Sequence, residues 1–179
     1  VKRISASTRK KAQRIKLLLL DVDGVLTDGG IVIDRQGQEI KRFDVRDGHE
    51  IRLLMRAGLR VGFVTGRFSK AVSHRAEDLG VRIVYQKADN KLEVYEKIKN
   101  GTGLRDQEIA YVGDDLVDFP LLRRVGLAFA VRDGSKGMKE MVDYVTEKEG
   151  GRGAVRKIIE LLIRSQGRWK AVTERYYRS

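Results

Sequence analysis

The chain has 179 residues, with 37 Lys/Arg against 25 Asp/Glu, a formal net charge of +12 and no cysteine. Disulfides, thiolate metal sites and a cysteine nucleophile are therefore excluded, and no apolar run is long enough to cross a bilayer. The length suits one domain with a real core and short appendages.

The charge is uneven. Residues 1–16 carry seven Lys/Arg and no acid, and residues 150–179 carry eight against Glu160 and Glu174, which leaves the body of the chain near neutral. Basic ends of this kind can bind nucleic acid or anionic surfaces. No aromatic-interleaved basic motif accompanies them, so solvated ends or subunit contacts are expected and nucleic acid is not expected as a partner. The basic N-terminus is not followed by a signal-peptide pattern, because Leu17–Leu20 is short and ends in acid. A cytoplasmic protein without membrane association is expected.

Ser5, Ser7 and Thr8 offer caps for a short basic helix running to about Arg14. The apolar run Ile15–Leu20 reads as a strand buried on both faces and breaks at Asp21-Val22-Asp23-Gly24. Ile31–Ile33 and Glu39–Phe43 flank Asp34-Arg35-Gln36-Gly37 and read as a hairpin. Asp47 is the expected N-cap of a helix over His49–Arg56. Strands follow at Leu59–Val64, Arg82–Tyr85, Glu108–Val112 and Leu127–Val131, with a last edge at Tyr144-Val145. Helices are expected at Ser69–Leu79, Lys91–Lys99 (capped by Asp89 or Asn90), Leu116–Val125, Lys136–Met141 and Ala154–Arg164. Gly101–Gln107 reads as a loop, and Gly150-Gly151-Arg152-Gly153 as a hinge-like loop.

Strands alternating with helices predict an α/β fold: a doubly wound, mostly parallel, Rossmann-like sheet with a small β-hairpin flap. The expected division is a basic arm over 1–14, the α/β domain over 15–166 and a tail over 167–179.

Polar clusters fall where the strands end: Asp21/Asp23, Thr65-Gly66-Arg67 and Gly113-Asp114-Asp115, with Lys91 early on a helix between the last two. Parallel strands end on one edge of the sheet, where such folds bind ligands. In an extended chain Asp21 and Asp23 point the same way. One can attack phosphorus while the other carries a proton to the leaving oxygen. The Thr65 hydroxyl, backbone N–H groups near Gly66 and Lys91 can hold phosphoryl oxygens, and Asp114 with Asp21 can bind a cation. Oxygen-only ligands and a phosphate substrate indicate Mg²⁺ before zinc.

These phrases, in this order and spacing, resemble the four motifs of haloacid dehalogenase superfamily phosphatases: Asp21-Val22-Asp23-Gly24-Val25, Thr65-Gly66-Arg67, Lys91 and Gly113-Asp114-Asp115-Leu116-Val117-Asp118. The resemblance covers about residues 15–165. It implies that Asp21 forms an aspartyl-phosphate, that Asp23 is the general acid/base, and that the Asp21 and Asp114 carboxylates with the Asp23 carbonyl ligate Mg²⁺, supported by Asp115 and Asp118. Asp118 is equally readable as a capping residue.

Family members differ in a cap domain inserted after the first or second motif. The 41 residues between Asp23 and Thr65 and the 25 between Thr65 and Lys91 are used up by the expected elements, so no separate cap domain is expected. A capless site is open to water, and neighbouring subunits are expected to close it. Within the superfamily the chain is similar to capless phosphatases acting on 3-deoxy-D-manno-octulosonate 8-phosphate and to relatives acting on nine-carbon sialic-type sugar phosphates. Val45-Arg46-Asp47-Gly48, Ser69-Lys70-Ala71-Val72 and Gly151-Arg152-Gly153-Ala154-Val155-Arg156 add to that likeness.

The resemblance implies a Mg²⁺-dependent phosphomonoesterase for a 2-keto-3-deoxy sugar-acid phosphate in lipopolysaccharide sugar synthesis. It also implies a homo-oligomer, a tetramer, with contacts through the hairpin and C-terminal tail. Arg46, Arg67 and Arg75, with Gly48, are candidates for binding the substrate, because guanidinium forks suit its carboxylate; Arg75 is also readable as a surface residue. His49 is read as structural or solvated, and Trp169, Tyr176 and Tyr177 as docking anchors. A nucleic-acid-end phosphatase and a non-enzymatic oligomeric scaffold stand as rival functions.

Overall fold

The computed structural model describes residues 4–178, apart from the side chain of Lys139. The first three residues of the expected basic arm and Ser179 of the expected tail lie outside them. Helix α1 spans Ala6–Ala12, capped by the Ser5 hydroxyl. Strand β1, Leu17–Leu20, leads through the Asp loop to the hairpin strands β2 (Val32–Ile33) and β3 (Glu39–Ile40). Then come α2 (Val45–Arg56), β4 (Arg60–Val64), α3 (Lys70–Leu79), β5 (Ile83–Tyr85), α4 (Lys91–Thr102) and β6 (Ile109–Gly113). The last part is α5 (Phe119–Leu122), β7 (Leu127–Ala130), α6 (Met138–Met141), β8 (Tyr144–Val145), α7 (Ala154–Ser165) and α8 (Trp169–Thr173).

Six strands form one sheet in the order β5-β4-β1-β6-β7-β8, and every neighbouring pair is parallel. The four leucines of β1 show why the run is a strand. Leu18 and Leu20 enter one core with residues of α2, α3 and α7, while Leu17 and Leu19 enter a second core with residues of α4, α5 and α6. Only a strand at the centre of a two-sided sheet buries consecutive apolar residues on opposite faces. The antiparallel β2–β3 hairpin stands apart from the sheet, and no separate cap domain is present among the described residues. No helix among these residues is long and apolar enough to cross a membrane.

Several expected boundaries are corrected. Helix α2 starts at Val45, with the Asp44 carboxylate accepting from Arg46 N–H as its cap. Asp47, expected as that cap, lies inside the helix and instead accepts from the Gly153 and Arg156 N–H groups (3.3 and 2.7 Å), capping α7 from across the core. The expected helix over Leu116–Val125 is a 3₁₀ turn, Leu116–Asp118, followed by short α5, where Pro120 near the first position sacrifices no helical hydrogen bond. Helix α4 runs through Gly101 to Thr102 and ends at Gly103, which takes a left-handed conformation. Gly137, likewise left-handed, delays α6 to Met138. The tail is ordered against its own chain: the Arg164 guanidinium lies 3.9 Å over the Trp169 ring, and Tyr176 meets both His49 and Arg56 on α2.

Candidate active site

The sheet reverses its winding at β1, which has β4 on one side and β6 on the other. The loops leaving these three strands therefore meet at one edge. The loop after β1 folds tightly around a single acceptor, with the Val25, Leu26 and Thr27 N–H groups all directed at the Val22 carbonyl. Gly24 is left-handed there, and a side chain on it would overlap the Asp114 carboxylate. Gly150 and Gly151 press against the same loop. A Cβ on Gly150 would overlap the Gly24 carbonyl, and the Gly151 N–H donates to the Val25 carbonyl at 2.9 Å. The stretch expected as a hinge is a packed support for the Asp loop.

Asp21 is 5 % exposed. One carboxylate oxygen accepts from Val22 N–H at 2.7 Å, and the other meets the Lys91 ammonium at 2.9 Å. Burial, then the charge of Asp118, pushes its pKa up to about 6, against the pull of Lys91. Burial alone would lower the pKa of Lys91, but Asp21 and Asp118 outweigh it and the net shift is upward. Lys91 is therefore a buried, paired cation, 2.7 Å from Asp118 and 3.2 Å from the Tyr111 hydroxyl.

Asp118 is fully buried and saturated. Its Oδ1 also accepts from the Tyr111 hydroxyl at 2.5 Å, and its Oδ2 from the Asp114 and Asp115 N–H groups at 2.8 and 3.2 Å. It builds the loop after β6 and fixes Lys91. Asp115 is exposed and accepts from Leu116 N–H, so it caps the 3₁₀ turn. Asp114 is the carboxylate left over: no hydrogen-bond donor among the described residues reaches it, and burial followed by the charges of Asp21 and Asp118 pushes its pKa up to about 8.

Carboxylate oxygens of Asp21, Asp114 and Asp118 lie within 4.8 Å of one another. Three carboxylates against one ammonium leave uncompensated negative charge, and the raised pKa values of Asp21 and Asp114 express it. An all-oxygen set with surplus charge suits a hard divalent cation. Since Asp118 has no oxygen to spare, Asp21 and Asp114 are the carboxylates available to hold one.

The cleft over this cluster has a volume of about 430 Å³ and is lined by Asp21, Asp23, Thr65, Gly66, Lys91 and Asp114, with Arg67 and Asp115 beside them. The Thr65 hydroxyl accepts from Arg67 N–H at 3.4 Å. A larger cavity, about 830 Å³, opens among Arg14, Lys16, Arg105 and Glu108 near the opposite ends of the strands; it lacks the carboxylate cluster.

Three expected substrate-binding residues do not line the cleft of their own chain. Arg46 is exposed and forks onto Asp44 at 2.7 and 3.1 Å. Arg75 pairs with Asp78 at 2.8 Å and stacks over Phe43. Gly48 is where the Arg75 guanidinium passes, since a side chain there would overlap it.

Two residues at the site were not anticipated. Lys41 and Glu39, from the hairpin, reach the Asp loop, where the Lys41 ammonium pairs with Asp23 and Glu39. Their signal is the stretch Glu39-Ile40-Lys41, in which alternation puts both charges on one side and the apolar residue on the other. Whether that charged side faces solvent or a site depends on which way the hairpin folds.

A profile for haloacid dehalogenase-like hydrolases matches residues 81–159. The chain is 43 % identical over 165 residues to the 3-deoxy-D-manno-octulosonate 8-phosphate phosphatase of Escherichia coli, covering 92 % of this chain and 88 % of that one. It is similar to the crystal structure of the phosphatase of that name from Yersinia pestis, with a TM-score of 0.92 and 38 % identity, covering 93 % of this chain and 90 % of the other. The structure of the Moraxella catarrhalis phosphatase, in complex with magnesium, phosphate and KDO, is also similar, with a TM-score of 0.92 and 36 % identity over 94 % of this chain and 97 % of that one.

Proposed function

The chain belongs to the 3-deoxy-D-manno-octulosonate 8-phosphate phosphatase family of haloacid dehalogenase-like hydrolases, and from that premise we propose that it is a phosphatase hydrolysing 3-deoxy-D-manno-octulosonate 8-phosphate. The observation that carries the reading is the carboxyl end of β1, where buried Asp21 is held by Lys91 beneath a cleft that Asp23 also lines.

An Asp21 oxygen bonds to phosphorus as the bond from phosphorus to the sugar oxygen breaks, and Asp23 gives that oxygen a proton. Water then attacks the aspartyl-phosphate, Asp23 takes its proton, and inorganic phosphate leaves with Asp21 restored. The Thr65 hydroxyl, the Gly66 N–H and the Lys91 ammonium hold the equatorial oxygens. Mg²⁺ is the cofactor: held by the Asp21 and Asp114 carboxylates and the Asp23 carbonyl, it supplies charge to offset the carboxylates and the phosphoryl group. Asp118 orients Lys91 and the loop that carries Asp114.

Arg67, at the cleft, is the fork for the carboxylate of the sugar acid. Arg46 and Arg75, the latter given room by Gly48, serve a neighbouring subunit's cleft in a homo-oligomer, a tetramer. That assembly is supported by the open site and by the exposed apolar side chains Ile31, Val32, Ile33 and Ile40 on the hairpin.

The test is phosphate release with Mg²⁺ from three substrates: octulosonate 8-phosphate, a nine-carbon sialic-type sugar 9-phosphate and a 3′-phosphorylated oligonucleotide. The octulosonate should be turned over fastest. Preference for the nine-carbon acid would change the substrate and keep the reaction, whereas turnover of the oligonucleotide alone would contradict the reading.

A further inference from the structure

The hairpin carries its polarity reversed. Ile33 and Ile40 are 63 % and 52 % exposed, while the Lys41 side chain is only 2 % exposed. An ammonium is buried only where its charge is matched, and two carboxylates match it. Lys41 pairs with Asp23 Oδ1 and with Glu39 Oε1, the latter at 2.6 Å, and Glu39 Oε2 in turn holds Arg67 at 2.6 Å. This chain of ion pairs ties the loop after β1 to the loop after β4 through the hairpin. Its effect on Asp23 is asymmetric. Oδ1 is taken by Lys41, while Oδ2 is buried without a hydrogen-bond partner among the described residues, with Arg67 Nε 4.0 Å away.

We propose that Lys41 is the positioning residue for the proton donor: by holding Asp23 Oδ1 it fixes the carboxyl so that Oδ2 carries the proton to the leaving oxygen, with Glu39 steadying Lys41. This rests on the phosphatase reading above. The transferred proton passes from Asp23 Oδ2 to the sugar oxygen as the phosphorus–oxygen bond breaks, and Lys41 neither gains nor loses a proton. The hairpin is then part of the catalytic apparatus as well as a contact surface, because displacing it releases the donor.

A residue that acts through the proton donor matters in proportion to the need for that proton. An alkoxide leaving group needs it, and p-nitrophenolate does not. First-turnover phosphoryl transfer with Mg²⁺ excludes the later hydrolysis step that both substrates share. Lys41→Met should slow transfer from octulosonate 8-phosphate about 100-fold and from p-nitrophenyl phosphate less than about tenfold, within the range for loss of general acid catalysis. Lys41→Arg, which keeps both ion pairs, should recover most of the loss. Glu39→Gln should show the same bias on a smaller scale, and it decides the question if Lys41→Met fails to fold. Equal losses on the two substrates, or no loss, would overturn the role of Lys41. Asp21→Asn tests the underlying reading separately: it should stop transfer from both substrates, and transfer that survived it would remove the reading itself.

Discussion

At the scale of the residue, the site is a problem of charge balance. Asp21, Asp114 and Asp118 crowd together beside one ammonium, and of the three only Asp118 has two donors on each oxygen. The three therefore answer differently to removal. Asp21→Asn deletes the proposed nucleophile and one crowded charge; kcat should fall at least about 10³-fold with no loss of melting temperature. Asp118→Ala deletes a buried acceptor shared by Lys91, Tyr111 and two backbone N–H groups. It should cost about 3 kcal/mol in urea denaturation as well as activity. If Asp21→Asn instead unfolded the protein, the reading of that carboxylate as surplus buried charge would be wrong.

At the scale of the element, α2 and α7 pack along a seam of buried acid. Asp47 caps α7 from α2, and Glu50, one turn on, lies near Arg156 at 3.7 Å with one oxygen unpartnered. Burial raises Asp47 to about 6 and, against the pull of Arg156, Glu50 to about 7. Both carboxyls keep their protons to higher pH folded than unfolded, so their own contribution to stability is full below about pH 4 and is lost as pH rises towards 7. Glu50→Gln should flatten that fall by roughly 1–3 kcal/mol between pH 4 and pH 8, read from melting curves at a series of pH values. Gly150→Ala should cost at least about 2 kcal/mol and lower activity, because the new methyl group meets backbone of the Asp loop rather than a yielding side chain.

The same seam shows what the sequence discloses and what it withholds. The leucine run, the carboxylates at its end, the two later polar clusters at strand ends and Lys91 at the start of a helix are local signals, so the sheet and the gathering of Asp21, Thr65, Lys91 and Asp114 were legible. The partners of Asp47 were not: its spacing suits a cap for α2, and the N–H groups that donate to it are more than a hundred residues away. Lys41 was hidden for the same reason, because the fold of the hairpin over the Asp loop is a tertiary fact. The glycines of Gly150-Gly151 read as freedom and turned out to be clearance.

At the scale of the molecule, none of the described Lys or Arg residues of the two basic ends lines the cleft, whose chemistry lies in the nearly neutral body. The hairpin leaves four aliphatic side chains at least half exposed, Ile31, Val32, Ile33 and Ile40, and its register sets Val32 beside Ile40 and Ile33 beside Glu39, so they lie on both of its faces. If the hairpin joins subunits, Ile33→Asp should yield a smaller species in sedimentation velocity and reduce turnover of the sugar-acid phosphate, since Arg46 and Arg75 then lose the neighbouring cleft. An unchanged sedimentation coefficient would move the interface elsewhere.

The most direct test of the account is to trap the intermediate. Enzyme turning over octulosonate 8-phosphate with Mg²⁺ is quenched and reduced with borohydride, which converts an aspartyl-phosphate to homoserine, and the peptides are read by mass spectrometry. The account predicts homoserine at position 21 and at no other carboxylate, and none without substrate. Phosphate release without conversion at position 21, or conversion at Asp23 or Asp114, would contradict it.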